Sequence, residues 1–84
     1  MSDATKELTM VMIAGITLDR TMAHKFSEAA AVFEAEGATG VAKTLRSRAQ
    51  YHQVKALELQ GRLAALAEEC DWSMSAMFEV DPEN

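Results

Sequence analysis

Between Asp3 and Cys70 the chain contains no proline, and its apolar residues recur at alternating steps of three and four. That spacing marks one face of a helix. The pattern is punctuated once, at Glu36-Gly37-Ala38-Thr39-Gly40. Gly37 suits the left-handed conformation that ends a helix, and Thr39 suits the cap of the next one. The sequence therefore predicts an all-α chain: helix over about 3–36, turn over 37–40, helix over about 40–70, tail over 71–84. Ser2 or Asp3 caps the first helix. The whole chain, 1–84, reads as one domain, without internal repeat or linker.

In the first helix the expected inward stripe is Leu8, Met12, Gly15, Asp19, Met22, Phe26, Ala29 and Phe33, widened by Val11, Ile16, Leu18, Ala23, Ala30 and Val32. Lys6, Arg20, His24, Ser27, Glu28 and Glu34 occupy the opposite face. The second stripe reads Val41, Leu45, Ala49, His52, Ala56, Leu59, Leu63, Leu66 and Cys70. At 1.5 Å per residue each helix is roughly 45–50 Å long, and a short turn makes the two antiparallel.

A chain of 84 residues buries only a modest fraction of its surface. Both stripes are wider than a single hairpin covers, so the expected closure is a two-fold homodimer forming a four-helix bundle. The tail carries Trp72, Met74, Met77 and Phe78. These four residues are expected either to form a short third helix that folds back or to bind another protein.

Charge and cysteine usage narrow the function classes. The formal net charge is −5, and no basic stripe is evident, which argues against nucleic acid or an anionic membrane as partner. The lone Cys70 permits no internal disulfide and suits a cytoplasmic location. The acids beside it, Glu68, Glu69 and Asp71, do not activate a thiol. No Ser/His/acid arrangement and no phosphate-binding glycine loop points to catalysis.

Two polar residues interrupt the stripes. Asp19 stands between Gly15 and Met22, and His52 between Ala49 and Ala56. A carboxylate on an apolar seam is costly unless it is paired, hydrated or metal-bound. Counted outward from Gly37, the two reach comparable depths on facing helices, with Lys55 one turn beyond His52. The expected result is a polar layer of Asp19, His52 and Lys55 that fixes register.

The stretch from Asp19 to Ala56, with Phe33-Glu34-Ala35-Glu36-Gly37 and Val41-Ala42-Lys43-Thr44-Leu45 inside it, resembles the ferritin-like and rubrerythrin-like carboxylate proteins. The resemblance implies long antiparallel helices around a central polar layer. It also implies iron or another divalent metal, with Asp19 in place of the family's first Glu ligand. His52 takes the place of the second Glu and Lys55 that of the His. No Glu-x-x-His motif is present, and lysine is not a usual ligand. His52-Gln53-Val54-Lys55 also resembles the His-x-x-Lys core of histidine phosphotransfer domains, although Ala56 replaces their usual glycine.

The leading expectation for function is a small dimeric helical-bundle accessory or protein-interaction module without evident catalysis. Its rivals are a reduced ferritin-like protein binding a metal through Asp19 and His52 at the subunit interface, and a histidine phosphotransfer-like protein.

Overall fold

The computed structural model describes residues 2–70; the tail residues Trp72, Met74, Met77 and Phe78 lie outside the described residues. Two helices, α1 (Asp3–Ala35) and α2 (Thr39–Cys70), pack against each other along their length as an antiparallel hairpin. Among the described residues no helix is long and apolar enough to cross a membrane.

Each end of α1 is closed by local chemistry. The Ser2 side chain accepts from the Thr5 backbone N–H at 3.1 Å, and the Ser2 carbonyl accepts from Lys6 N–H at 3.0 Å. The first satisfies a donor that a helix start otherwise leaves open, and the second is the first bond of the helix itself. At the far end Gly37 has φ 88°. Ala38 N–H donates to the Phe33 carbonyl at 2.9 Å, and Gly37 N–H to that of Glu34 at 3.0 Å. This pair of bonds is the Schellman closure. Thr39, expected as a cap, is instead the first residue of α2, and Ala38 before it brings no side-chain acceptor.

A Cβ at Gly37 would meet nothing within 4 Å, so only the positive φ opposes a side chain there. Gly37→Ala is expected to cost about 1–2 kcal/mol, seen as a lower thermal midpoint at fixed protein concentration. Gly40, with equally open surroundings and no positive φ, is the control. Gly40→Ala is expected to hold or raise the midpoint.

On α1 Thr9, Ile16, Ala23 and Ala30 are buried, at seven-residue spacing, and Asp19 joins them; all but Thr9 belong to the expected stripe or its widening, whereas its larger members Val11, Leu18 and Val32 are exposed. Leu8 is half exposed, and Gly15, Met22 and Ala29 are only partly buried. The seam is therefore rotated by one residue from the stripe of larger side chains. On α2 the buried row is Ala42, Ala49, Ala56 and Leu63. Ala42 takes the place expected for Val41, while Leu45, His52, Leu59 and Leu66 flank the row half-buried.

Both rows keep a seven-residue repeat, the pattern of helices packed knobs into holes. Alanine at every seventh position of α2 lets the two backbones approach and leaves room for Ile16 to pack on Ala56.

The core is correspondingly thin. Among the described residues seven hydrophobic residues are buried, and five of them are alanine. Each buried alanine methyl contributes on the order of 0.8 kcal/mol, whereas a buried leucine contributes roughly 1.5–3. Several larger apolar residues, Val11, Leu18 and Val32 among them, stay more than half exposed in one chain. A cluster of Ile16, Ala56 and Leu63, backed by Met12, Ile13 and Leu59, anchors the open half of the hairpin.

Candidate functional site

The rotation leaves the hairpin with two unlike sides. One side is polar. There Arg46 on α2 pairs with Glu34 on α1, and an open groove of about 440 Å³ runs over Ala23 and Ala56, edged by Arg20, His24, Gln53 and Gln60. His24 is exposed and pairs with Glu28 at 3.1 Å, one helical turn on. It is a surface histidine, as its polar flank predicts.

The other side carries the residues that interrupt the stripes. His52 Nδ1 lies 2.8 Å from Asp19 Oδ1. A carboxylate accepts, so the ring donates through Nδ1–H. The two side chains are 13% and 7% exposed. Lys55 Nζ stands 3.9 Å from the same carboxylate oxygen, and its side chain is far more exposed. The three residues expected to form a polar layer therefore do meet, within one chain.

Aromatic rings fix the imidazole in place. Phe26 stacks on it, centroids 5.7 Å apart and planes 12° apart. Tyr51 meets it edge-on at 5.2 Å. The Tyr51 ring in turn lies under Lys55 Nζ, 5.3 Å away, and the Arg48 guanidinium, 5.2 Å away. Contacts of this kind contribute on the order of 0.5–1.5 kcal/mol each. Phe26, Tyr51 and Arg48 form the shell of the site that the sequence reading did not single out. Their spacing around His52, one residue before it and one turn before it on α2, was the available signal for Tyr51 and Arg48.

By helical position Leu8 and Phe33 on α1 and Val41 on α2 flank this side, and Val11, Leu18 and Val32 lie one position further round α1; each is at least a third exposed. Asp19 and His52 fall near the midpoints of their helices, so the polar layer sits halfway along the apolar side. Gly15 belongs to this side as well: a Cβ there would stand 3.0 Å from Leu59 Cδ1. That glycine lets the leucine fold over α1.

A di-iron centre of the ferritin-like kind does not fit these residues. Such a centre draws carboxylates and Glu-x-x-His pairs from several helices. Among the described residues no three His, Cys, Asp or Glu side chains converge. The Asp19 carboxylate is already engaged by the imidazole and faces an ammonium group. No protein-family model, curated protein or solved structure matches this chain.

Proposed function

We propose that this chain is a small assembly module without chemistry of its own, which pairs with a second copy through its apolar side. The Asp19–His52–Lys55 layer sets the register of that pairing. One observation carries the reading: a hydrogen-bonded, nearly buried polar layer sits midway along a side whose large apolar residues are otherwise exposed.

The dimensions support it. Helices of this length are roughly 50 Å long and two abreast are roughly 20 Å wide, so one side presents about 1,000 Å². A stable interface needs about 800 Å² per partner. The thin alanine core supports it too, because a lone hairpin with few large buried residues is weakly held. Because the polar layer is at mid-length, a two-fold axis through it overlaps the two copies along their whole extent. A one-heptad slip would strand the layer against leucine and valine, which is costly for buried polar groups.

The test is a charge placed on the apolar side. Leu18 is 62% exposed in the single chain, so Leu18→Glu is expected to leave the packing within one hairpin intact, with helicity falling only as the dimer dissociates. Association, read by sedimentation equilibrium, is expected to weaken by at least about tenfold, since the carboxylate would be desolvated at an interface core. Unchanged association would overturn the reading. So would elemental analysis finding a stoichiometric metal in protein purified without added metal, which would favour the rival of a metal held between copies.

A further inference from the structure

Beside the polar layer each helix carries an edge row at alternating steps of three and four, and the two rows differ in kind. On α1 the row runs from Leu8 through Val11, Leu18 and Met22 to Val32, with Lys25 its one charge. Four of these residues, Leu8, Val11, Leu18 and Val32, are at least half exposed. The row at the matching positions of α2 runs from Val41 to Ala65 and holds charges of both signs, Arg48, Lys55, Glu58 and Arg62. Two closures of a face-to-face pair are open to such a hairpin. An axis across the helices sets like helix on like helix; an axis along them sets α1 on the partner's α2.

We infer that the second copy seats antiparallel with α1 on α1 and α2 on α2, about a two-fold axis that crosses both helices at the depth of the Asp19–His52 pair. The inference rests on the reading of this side as self-pairing, and names the helix of the second copy that each helix meets.

The rows themselves carry the argument. In an antiparallel pair each row position faces the one equally far beyond the axis. The α1 row then closes on itself without remainder. Leu8 meets the partner's Val32, Val11 the partner's Ala29, and Leu18 the partner's Met22. Gly15 meets the partner's Lys25, whose stem lies over a residue without a side chain while its ammonium group reaches water. The axis of this row falls midway between Leu18 and Met22, one residue from Asp19. The α2 row closes on itself as well. Arg48 meets the partner's Glu58, and Tyr51 the partner's Lys55, an opposite-charge pair and a cation over a ring. Its axis falls midway between Tyr51 and Lys55, one residue from His52. Asp19 and His52 are 2.8 Å apart, so two rows read separately place their axes at one depth.

The other closure fits poorly. It sets Val11 against the partner's Arg62, Leu18 against the partner's Lys55, and Lys25 against the partner's Arg48. Two cations would lose water against aliphatic side chains, and two would face each other.

Distances between spin labels on the two copies separate the closures. With Cys70→Ser as background, Glu7→Cys, Thr21→Cys and Ala35→Cys each carry one label. All three positions are exposed, and Glu7 and Ala35 lie fourteen residues to either side of Thr21. Crossing at mid-length offsets the two labels by about 40 Å along the helices at either end, and by only about 3 Å at Thr21. Pulsed electron resonance is therefore expected to read the shortest separation at Thr21, with Glu7 and Ala35 each longer by at least about 15 Å. Equal separations at the three sites mean that α1 sits on the partner's α2, and overturn the inference while leaving self-pairing intact. A separation shortest at Glu7 or at Ala35 overturns it in the same way. No separation between copies at any site, with a single-chain mass for the labelled and the unaltered protein alike, overturns both the inference and the reading beneath it.

Discussion

His52→Ala is expected to destabilise the protein by about 3 kcal/mol, more than the loss of one hydrogen bond would account for. Removing the imidazole leaves the Asp19 carboxylate, 7% exposed, without its 2.8 Å partner. Breaking a buried pair by deleting one member costs roughly 3–5 kcal/mol, because a desolvated charge remains. Lys55 lowers that figure. Its ammonium group, 3.9 Å away on a side chain that is 43% exposed, can move onto the orphaned oxygen. Loss of the ring stacked on Phe26 raises it again. Asp19→Asn retains shape and one acceptor, and is expected to cost only about 1 kcal/mol. Replacing Asp19 and His52 together by leucine is expected to be neutral or stabilising, because no charge is left to desolvate. Denaturant unfolding at fixed protein concentration checks all three. In a double-mutant cycle of Asp19→Leu, His52→Leu and the two combined, strict additivity would mean that the pair is not coupled.

Leu63→Ala is expected to cost about 3 kcal/mol, within the roughly 2–5 typical of leucine truncation in a packed core. Leu63 is 1% exposed and is the largest fully buried side chain among the described residues. It packs in the cluster of Ile16 and Ala56 with Met12, Ile13 and Leu59 behind it. Alanines elsewhere in the seam have little to lose, so this cluster carries a disproportionate part of the hairpin's cohesion. In a chain this small, 3 kcal/mol is a large share of total stability. The variant is expected to show reduced helicity at ambient temperature, read by circular dichroism. Leu18→Ala is the contrast. The residue has the same type but stands exposed in the single chain, so its truncation is expected to change hairpin stability by less than about 0.5 kcal/mol while weakening self-association. Equal effects at the two leucines would mean that the seam has been assigned to the wrong residues.

The hairpin itself was legible because its signals are local. Proline is absent until Pro82, and Gly37 is the residue that the Schellman closure requires. The meeting of Asp19, His52 and Lys55 followed from counting outward from that glycine, since antiparallel helices of equal rise bring equal depths together. The seam of α1 was not legible from the rule that larger apolar residues point inward. Leu8 and Met22 flank it, while Thr9, Ala23 and Ala30 fill it. The partner helix matters here: its small Ala42, Ala49 and Ala56 allow a close approach, so small α1 residues such as Ala23 and Ala30 are buried as fully as Ile16. Thr9 shows how a polar side chain is accommodated there. Its hydroxyl donates to the Thr5 carbonyl at 2.8 Å, within its own helix, so burial leaves no polar atom unmatched. The cap at Thr39 missed by one residue, because α2 begins at Thr39 itself.

The same rotation is what gives the hairpin two unlike sides. A seam made of the larger stripe would have consumed Leu8, Met22 and their neighbours and left little for a partner. A seam made of alanine spends small residues on the intramolecular contact and turns the larger ones outward, around a polar layer already satisfied within the chain.

Sedimentation equilibrium of the unaltered protein, followed across a dilution series with helicity measured on the same samples, tests that division of labour most directly. The expected result is a species of twice 9.2 kDa that dissociates on dilution, with helicity falling alongside. A fully helical species of 9.2 kDa at the highest attainable concentration would contradict it.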